Sequence, residues 1–172
     1  MIKANAEKEL ILREKLVKLA LLQYNKLYKH GQNGPDNFDC AGLVWYIYNE
    51  ICDINVYSNG YGLSTTTKIM TNPYGKLIKY NENDSNKNLN IIELGDIVFF
   101  HRQSLEDIEP KRTNKYPGHC GIYIGNNSFI HCSTLKGKVD IDNFLQGDYW
   151  YNILVASKDI ISDEMVLRKT RN

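Results

Sequence analysis

Gly34-Pro35-Asp36-Asn37-Phe38-Asp39-Cys40-Ala41-Gly42-Leu43-Val44 places a cysteine where a loop rich in Gly, Pro and Asn gives way to an apolar run continuing through Trp45, Tyr46, Ile47 and Tyr48. That change of composition predicts a helix beginning at Cys40 and ending near Ile51. The first turn of a helix has unpaired N–H groups and the positive end of the aligned peptide dipoles. A sulfur at that end is favoured as thiolate, although a free thiol has a pKa of about 8.5. Cys40 is therefore the candidate nucleophile. Cys52, at the far end of the same run, lacks this advantage and reads as a core or surface thiol.

Upstream, Leu10, Leu12, Leu16, Leu19, Ala20 and Tyr24 recur near a 3.6-residue period, which predicts a helix from residue 5 to about 29, closed by Gly31. Downstream, residues 53–88 are polar, with a short helix expected near 64–70. Asp96-Ile-Val-Phe-Phe-His reads as a strand, and 102–117 as a charged, Pro-punctuated loop. His119-Cys-Gly-Ile-Tyr-Ile and Ser128-Phe-Ile-His-Cys-Ser flank Gly125-Asn126-Asn127 as a hairpin. A last strand is expected over 151–157, before a polar tail at 158–172. Helices first and strands later predict one α+β domain spanning 1–172. Its core is expected over about 20–157, with N-terminal helices packed on a central antiparallel sheet.

A thiolate nucleophile needs an imidazole to take and return a proton. Of His30, His101, His119 and His131, the last two lie on the hairpin. Strand alternation puts His119, Gly121 and Tyr123 on one face of its first strand, and Phe129, His131 and Ser133 on one face of its second. A three-residue loop at 125–127 sets residue 121 opposite 131, so that both imidazoles point the same way. A two-residue turn at 126–127 sends them to opposite faces. The first arrangement is favoured because it also groups Cys120 with Cys132 on the apolar face, and it gives a Cys40–His119–His131 set with His131 orienting the base.

The chain has 172 residues and a formal net charge of +1, which gives no footprint for nucleic acid. No long apolar run suggests a membrane span. No CxxC pair is present, and thiols on the face opposite the imidazoles argue against a zinc site. No metal or cofactor is expected. The charged N-terminus through Lys18 does not read as a secretory signal. The expectation is therefore a cytoplasmic protein, or one delivered to the cell wall by phage or another leaderless route.

Four segments in this order resemble the NlpC/P60 family. They are Tyr28 through Val44, with Phe-Asp-Cys-Ala-Gly-Leu-Val for the family's Phe-Asp-Cys-Ser-Gly-Leu-Val; Leu94-Gly-Asp-Ile-Val-Phe-Phe; Gly118 through Ser133; and Tyr149-Trp150 with Leu154-Val-Ala-Ser. The resemblance implies a papain-like α+β fold and cysteine-peptidase cleavage of peptidoglycan stem peptides, often between D-glutamate and a diamino acid. It puts nucleophile, base and third polar residue on Cys40, His119 and His131, and places Tyr28, Asp39 and Ala41 at substrate-facing positions. Ala41 stands where the family usually has serine. The family's middle-region arginine has no counterpart around Leu63-Ser64-Thr65, and loop 101–117 is longer than usual. Phage-tail members share the alanine and the missing signal peptide. Two other readings keep the resemblance: an acyltransferase of the same superfamily, and a phage-tail or wall-binding module with little or no hydrolysis.

Overall fold

The computed structural model describes residues 2–57, 64–81, 84–101, 117–163 and 166–167, with side chains from residue 5 onward. The expected 102–117 loop lies almost wholly outside the described residues. Helix α1 (Ile2–Leu21) is followed by the short strands β1 (Leu27–Tyr28) and β2 (Asn37–Phe38). Helices α2 (Cys40–Cys52) and α3 (Thr65–Met70) come next, then β3 (Lys76–Lys79) and a single 3-10 turn at Leu89–Ile91. The chain continues through β4 (Ile97–Phe100), β5 (His119–Gly125), β6 (Ser128–Ser133), β7 (Lys138–Asn143), α4 (Tyr149–Ile153) and β8 (Leu154–Asp159). The strands form one sheet in the order β2-β1-β7-β6-β5-β4-β8-β3. The expected antiparallel sheet is correct for its centre, but its edge is mixed, because β1 and β2 run parallel.

Strand β4 is buried on both faces, and the two faces build two cores. Ile97 and Phe99 join Cys120, Ile122, Ile130 and Cys132 against Leu16 and Ala20 of α1 and Leu43, Val44 and Ile47 of α2. Val98 and Phe100 face Phe129, Phe144, Trp150 and Leu154. Helix α1 stops at Leu21, eight residues short of the expected end. Asn25 takes a left-handed backbone, φ 69°, and its N–H donates to Val139 O, while Val139 N donates to Lys26 O. Pairing with β7 captures residues that periodicity assigned to the helix. The last strand likewise begins at Leu154, because residues 149–153 coil into α4.

Of the stretch expected as a polar tail, residues 158–163 and 166–167 are described. Ile160, Ile161, Val166 and Leu167 are buried in the main core. Lys158 is buried too, and its Nζ donates to Met70 O (2.9 Å) and Asn72 O (2.7 Å). That places an ammonium at the carbonyl end of α3, where helix carbonyls lack partners. Burial lowers its pKa to about 8. Arg13 ties α1 to the sheet: Nη1 donates to Leu94 O and Asp96 Oδ1, and Nη2 meets Glu9, Asp159 and Glu93 at 2.7–2.9 Å. No helix of the described residues is long and apolar enough to cross a membrane.

Candidate active site

The first turn of α2 is built by the residues around Cys40. Asp39 is its N-cap: Oδ1 accepts from Gly42 N (2.7 Å) and Oδ2 from Gly31 N (2.9 Å), so one carboxylate fixes both the helix start and the preceding loop. Gly42 is required by close approach, since a Cβ there would lie 2.1 Å from Gln32 O. Both Asp39 oxygens are thus engaged by backbone. Ala41, expected to face substrate, is fully buried in the core and is not among the residues that line the pocket.

Cys40 opens onto a cavity of about 500 Å³ lined by Tyr28, His30, Asp39, Ser64, Thr65, Thr66, Gly118, His119 and Thr134. The side chains of Cys120, His119 and Thr66 lie around its sulfur and act on its ionisation. The Cys120 contact, helped by the neighbouring imidazole, holds the Cys40 thiol well below the usual range against the opposing effect of burial. The paired Cys120 is pushed up by the Cys40 contact and by burial, and its thiol also reaches Cys40 O at 3.5 Å. Burial alone raises Cys52 to about 12. It also raises Cys132, helped by Cys40 and Asp39, to about 12. All four cysteines are free thiols, and Cys132 points at Phe38 O. Tyr28 faces the pocket near Thr134, and burial raises its pKa.

The histidine pair depends on the hairpin. Asn126 and Asn127 both have left-handed backbones, φ 51° and 54°, which close a two-residue turn between Gly125 and Ser128. Such a turn alone would send the two imidazoles to opposite faces. A bulge between Tyr123 and Gly125 inserts one residue and restores the register Ile122↔Ile130, which sets Gly121 opposite His131. The turn is therefore the shorter alternative, while the common face is the one favoured for the longer loop. His119 Nε2 and His131 Nδ1 lie 2.7 Å apart, and Trp150 packs edge-on to His131 with centroids 5.1 Å apart.

Two participants were missed by sequence reasoning. Thr66, at the start of α3, contacts Cys40. Asp142, on β7, brings Oδ2 to within 3.0 Å of His131 Nε2. Neither has a local motif. The only sequence signal for β7 is the Val139/Ile141 alternation with Asp140/Asp142. Of the remaining histidines, His30 is an exposed loop residue at the pocket rim. His101 follows β4.

Burial depresses the His131 pKa from 6.5 to about 4, reinforced by the neighbouring His119 and opposed by Asp142. The folded protein thus binds the His131 proton less tightly than the unfolded chain. The contribution of His131 to stability is therefore full above 6.5 and falls as pH drops toward 4, by about 3 kcal/mol over that window. Urea midpoints at pH 7 and pH 4.5 should show a larger acid loss for the wild type than for His131→Asn, which has no proton to gain; equal losses would contradict this.

A thiol at a capped helix N-terminus, facing a histidine pair on the sheet of an α+β domain, is the layout of a papain-like cysteine-peptidase fold. Residues 25–158 match the model of the NlpC/P60 family, and the chain belongs to that family, whose members are cysteine peptidases. It is 30% identical over 136 residues to the probable peptidoglycan endopeptidase LytE of Bacillus subtilis, covering 79% of this chain and 31% of that protein. To the murein DD-endopeptidase MepH of Escherichia coli it is 27% identical over 144 residues, 81% of this chain and 43% of that one. The chain thus spans less than half the length of either relative. The solved structure of NlpC2 from Trichomonas vaginalis superposes with a TM-score of 0.61 at 26% identity, covering 87% of this chain and 46% of that chain.

Proposed function

We propose that this domain is a cysteine endopeptidase that hydrolyses amide bonds in peptidoglycan stem peptides, such as the bond between D-glutamate and a diamino acid. The observation that carries this reading is the sulfur of Cys40, seated at a capped helix N-terminus and in contact with the His119 imidazole. The Cys40 thiolate attacks the amide carbonyl, and first-turn N–H groups of α2 stabilise the oxyanion. His119 protonates the leaving amine, the acyl group stays on sulfur, and His119 then deprotonates the water that releases it. His131 holds the His119 ring. Tyr28, Ser64 and Thr65 line the cavity as neutral hydrogen-bonding groups for the peptide. The names of LytE and MepH support peptidoglycan as the substrate class.

Digestion of purified muropeptides with mass analysis of the products tests this reading. New amine and carboxyl termini within the stem peptide, insensitive to chelators and lost on alkylation, are expected. No stem-peptide cleavage by the wild-type protein would refute it.

A further inference from the structure

Behind the histidine pair the hydrogen-bonded chain continues onto a neighbouring strand. His131 Nε2 lies 3.0 Å from Asp142 Oδ2, and the other Asp142 oxygen takes Lys136 Nζ at 2.8 Å. Lys136 also bonds Asp140 Oδ2 at 2.9 Å. His131 is fully buried, edge-on to both Trp150 and His119. Among the described residues, the charged and titratable groups around it are His119, Asp142, Asp140 and Lys136.

We propose that Asp142 is a positioning residue for this site, its carboxylate dictating which nitrogen of each imidazole carries the proton. This rests on reading Cys40 and His119 as nucleophile and base. A carboxylate only accepts, so Nε2 of His131 must bear a hydrogen. A neutral imidazole then has its lone pair on Nδ1, which can only accept from His119 Nε2–H at 2.7 Å. The sulfur-facing nitrogen of His119 is thereby Nδ1, the atom left free to exchange a proton with Cys40. When Cys40 ionises and His119 becomes imidazolium, no other proton in the chain has to move. Burial keeps His131 neutral down to about pH 4. Asp142, although burial opposes it, is held ionised by its hydrogen bonds from His131 and Lys136. The arrangement is thus set over the whole neutral range.

Asp142→Asn would disturb protons without removing bulk. The Lys136 ammonium 2.8 Å away is a donor only and favours the amide oxygen on its side, which turns the NH2 toward His131 Nε2. His131 must then carry its proton on Nδ1, donor against donor with His119 Nε2–H, and the imidazolium–thiolate pair is destabilised.

Long-range ¹⁵N–¹H spectra of the two rings provide the test, with stem-peptide kinetics alongside. The wild type should show Nε2–H at His131. Asp142→Asn should move that proton to Nδ1 and lower kcat by roughly 10²–10⁴-fold with KM little changed. It should also move the pH midpoint of Cys40 alkylation upward. A wild-type His131 protonated on Nδ1 overturns the inference without recourse to any variant, and so does an unchanged alkylation midpoint in Asp142→Asn. If the wild type proves unable to cleave stem peptides, the proposed function falls, while the ring spectra and alkylation midpoint still decide the role of Asp142.

Discussion

Cys40→Ala is expected to lower stem-peptide cleavage by about 10⁶-fold, the order seen when a covalent nucleophile is deleted, while leaving the fold intact. The helix start does not depend on this side chain, because Asp39 holds the first turn through Gly42 N and the loop through Gly31 N. No other thiol can take over. Cys52 and Cys132 are buried, with their ionisation pushed up to about 12, and the Cys120 thiol is raised beside Cys40. Mass analysis of muropeptide digests, paired with thermal melts, separates the two effects. Substantial cleavage by the variant would place the nucleophile elsewhere in the molecule.

The second large effect concerns the fold. Four carboxylates surround one guanidinium at Arg13, and among them Asp96 is the most deeply buried. One cation does not neutralise four anions, and burial leaves the Asp96 carboxyl raised to about 7 even with Arg13 beside it. Asp96 also accepts from Glu93 N through its second oxygen (3.0 Å), so it cannot turn toward solvent without breaking the approach to β4. Arg13→Met removes the guanidinium that pairs with all four carboxylates and should destabilise the protein by about 3–5 kcal/mol, the usual cost of stranding a buried charge. The sign with pH follows from the raised pKa. The native state holds the Asp96 proton more tightly than the unfolded chain, so its contribution to stability is present at low pH and lost as pH rises from 3.8 through 7. In Arg13→Met that loss should steepen, so the deficit in urea midpoint should be larger at pH 8 than at pH 5. A deficit that is small and equal at both pH values would mean that the ion cluster does not anchor α1.

The elements legible in the sequence are those specified by local signals. The helix starting at Cys40 combines a loop, a capping aspartate and an apolar run, all within a few residues. The β4 run and the Gly125-Asn126-Asn127 hairpin are equally local, and these carry Cys40, His119 and His131. The elements that escaped depend on partners distant in the chain. Residues 22–28 keep helical periodicity, yet pairing with β7 and β2 wins them. Asp142 reaches His131 only because the β6–β7 register sets Phe129 beside Asp142 and His131 beside Asp140. Arg13 looks like one more charge on a solvated helix face until residues 93, 96 and 159 fold around it. The tail at 158–172 hides two short apolar pairs, Ile160-Ile161 and Val166-Leu167, too brief to mark a core element by periodicity. Ala41 follows the reactive position in sequence, but the helix turns its methyl group into the core.

The whole proposal reduces to one ionisation, and the difference in thiolate absorbance near 240 nm between wild type and Cys40→Ala across pH reads it directly. The expected difference signal persists far below the free-thiol value of about 8.5 and shifts upward in His119→Ala. A signal that emerges only around 8.5 or higher, unmoved by His119→Ala, would contradict an activated Cys40 and with it the peptidase mechanism.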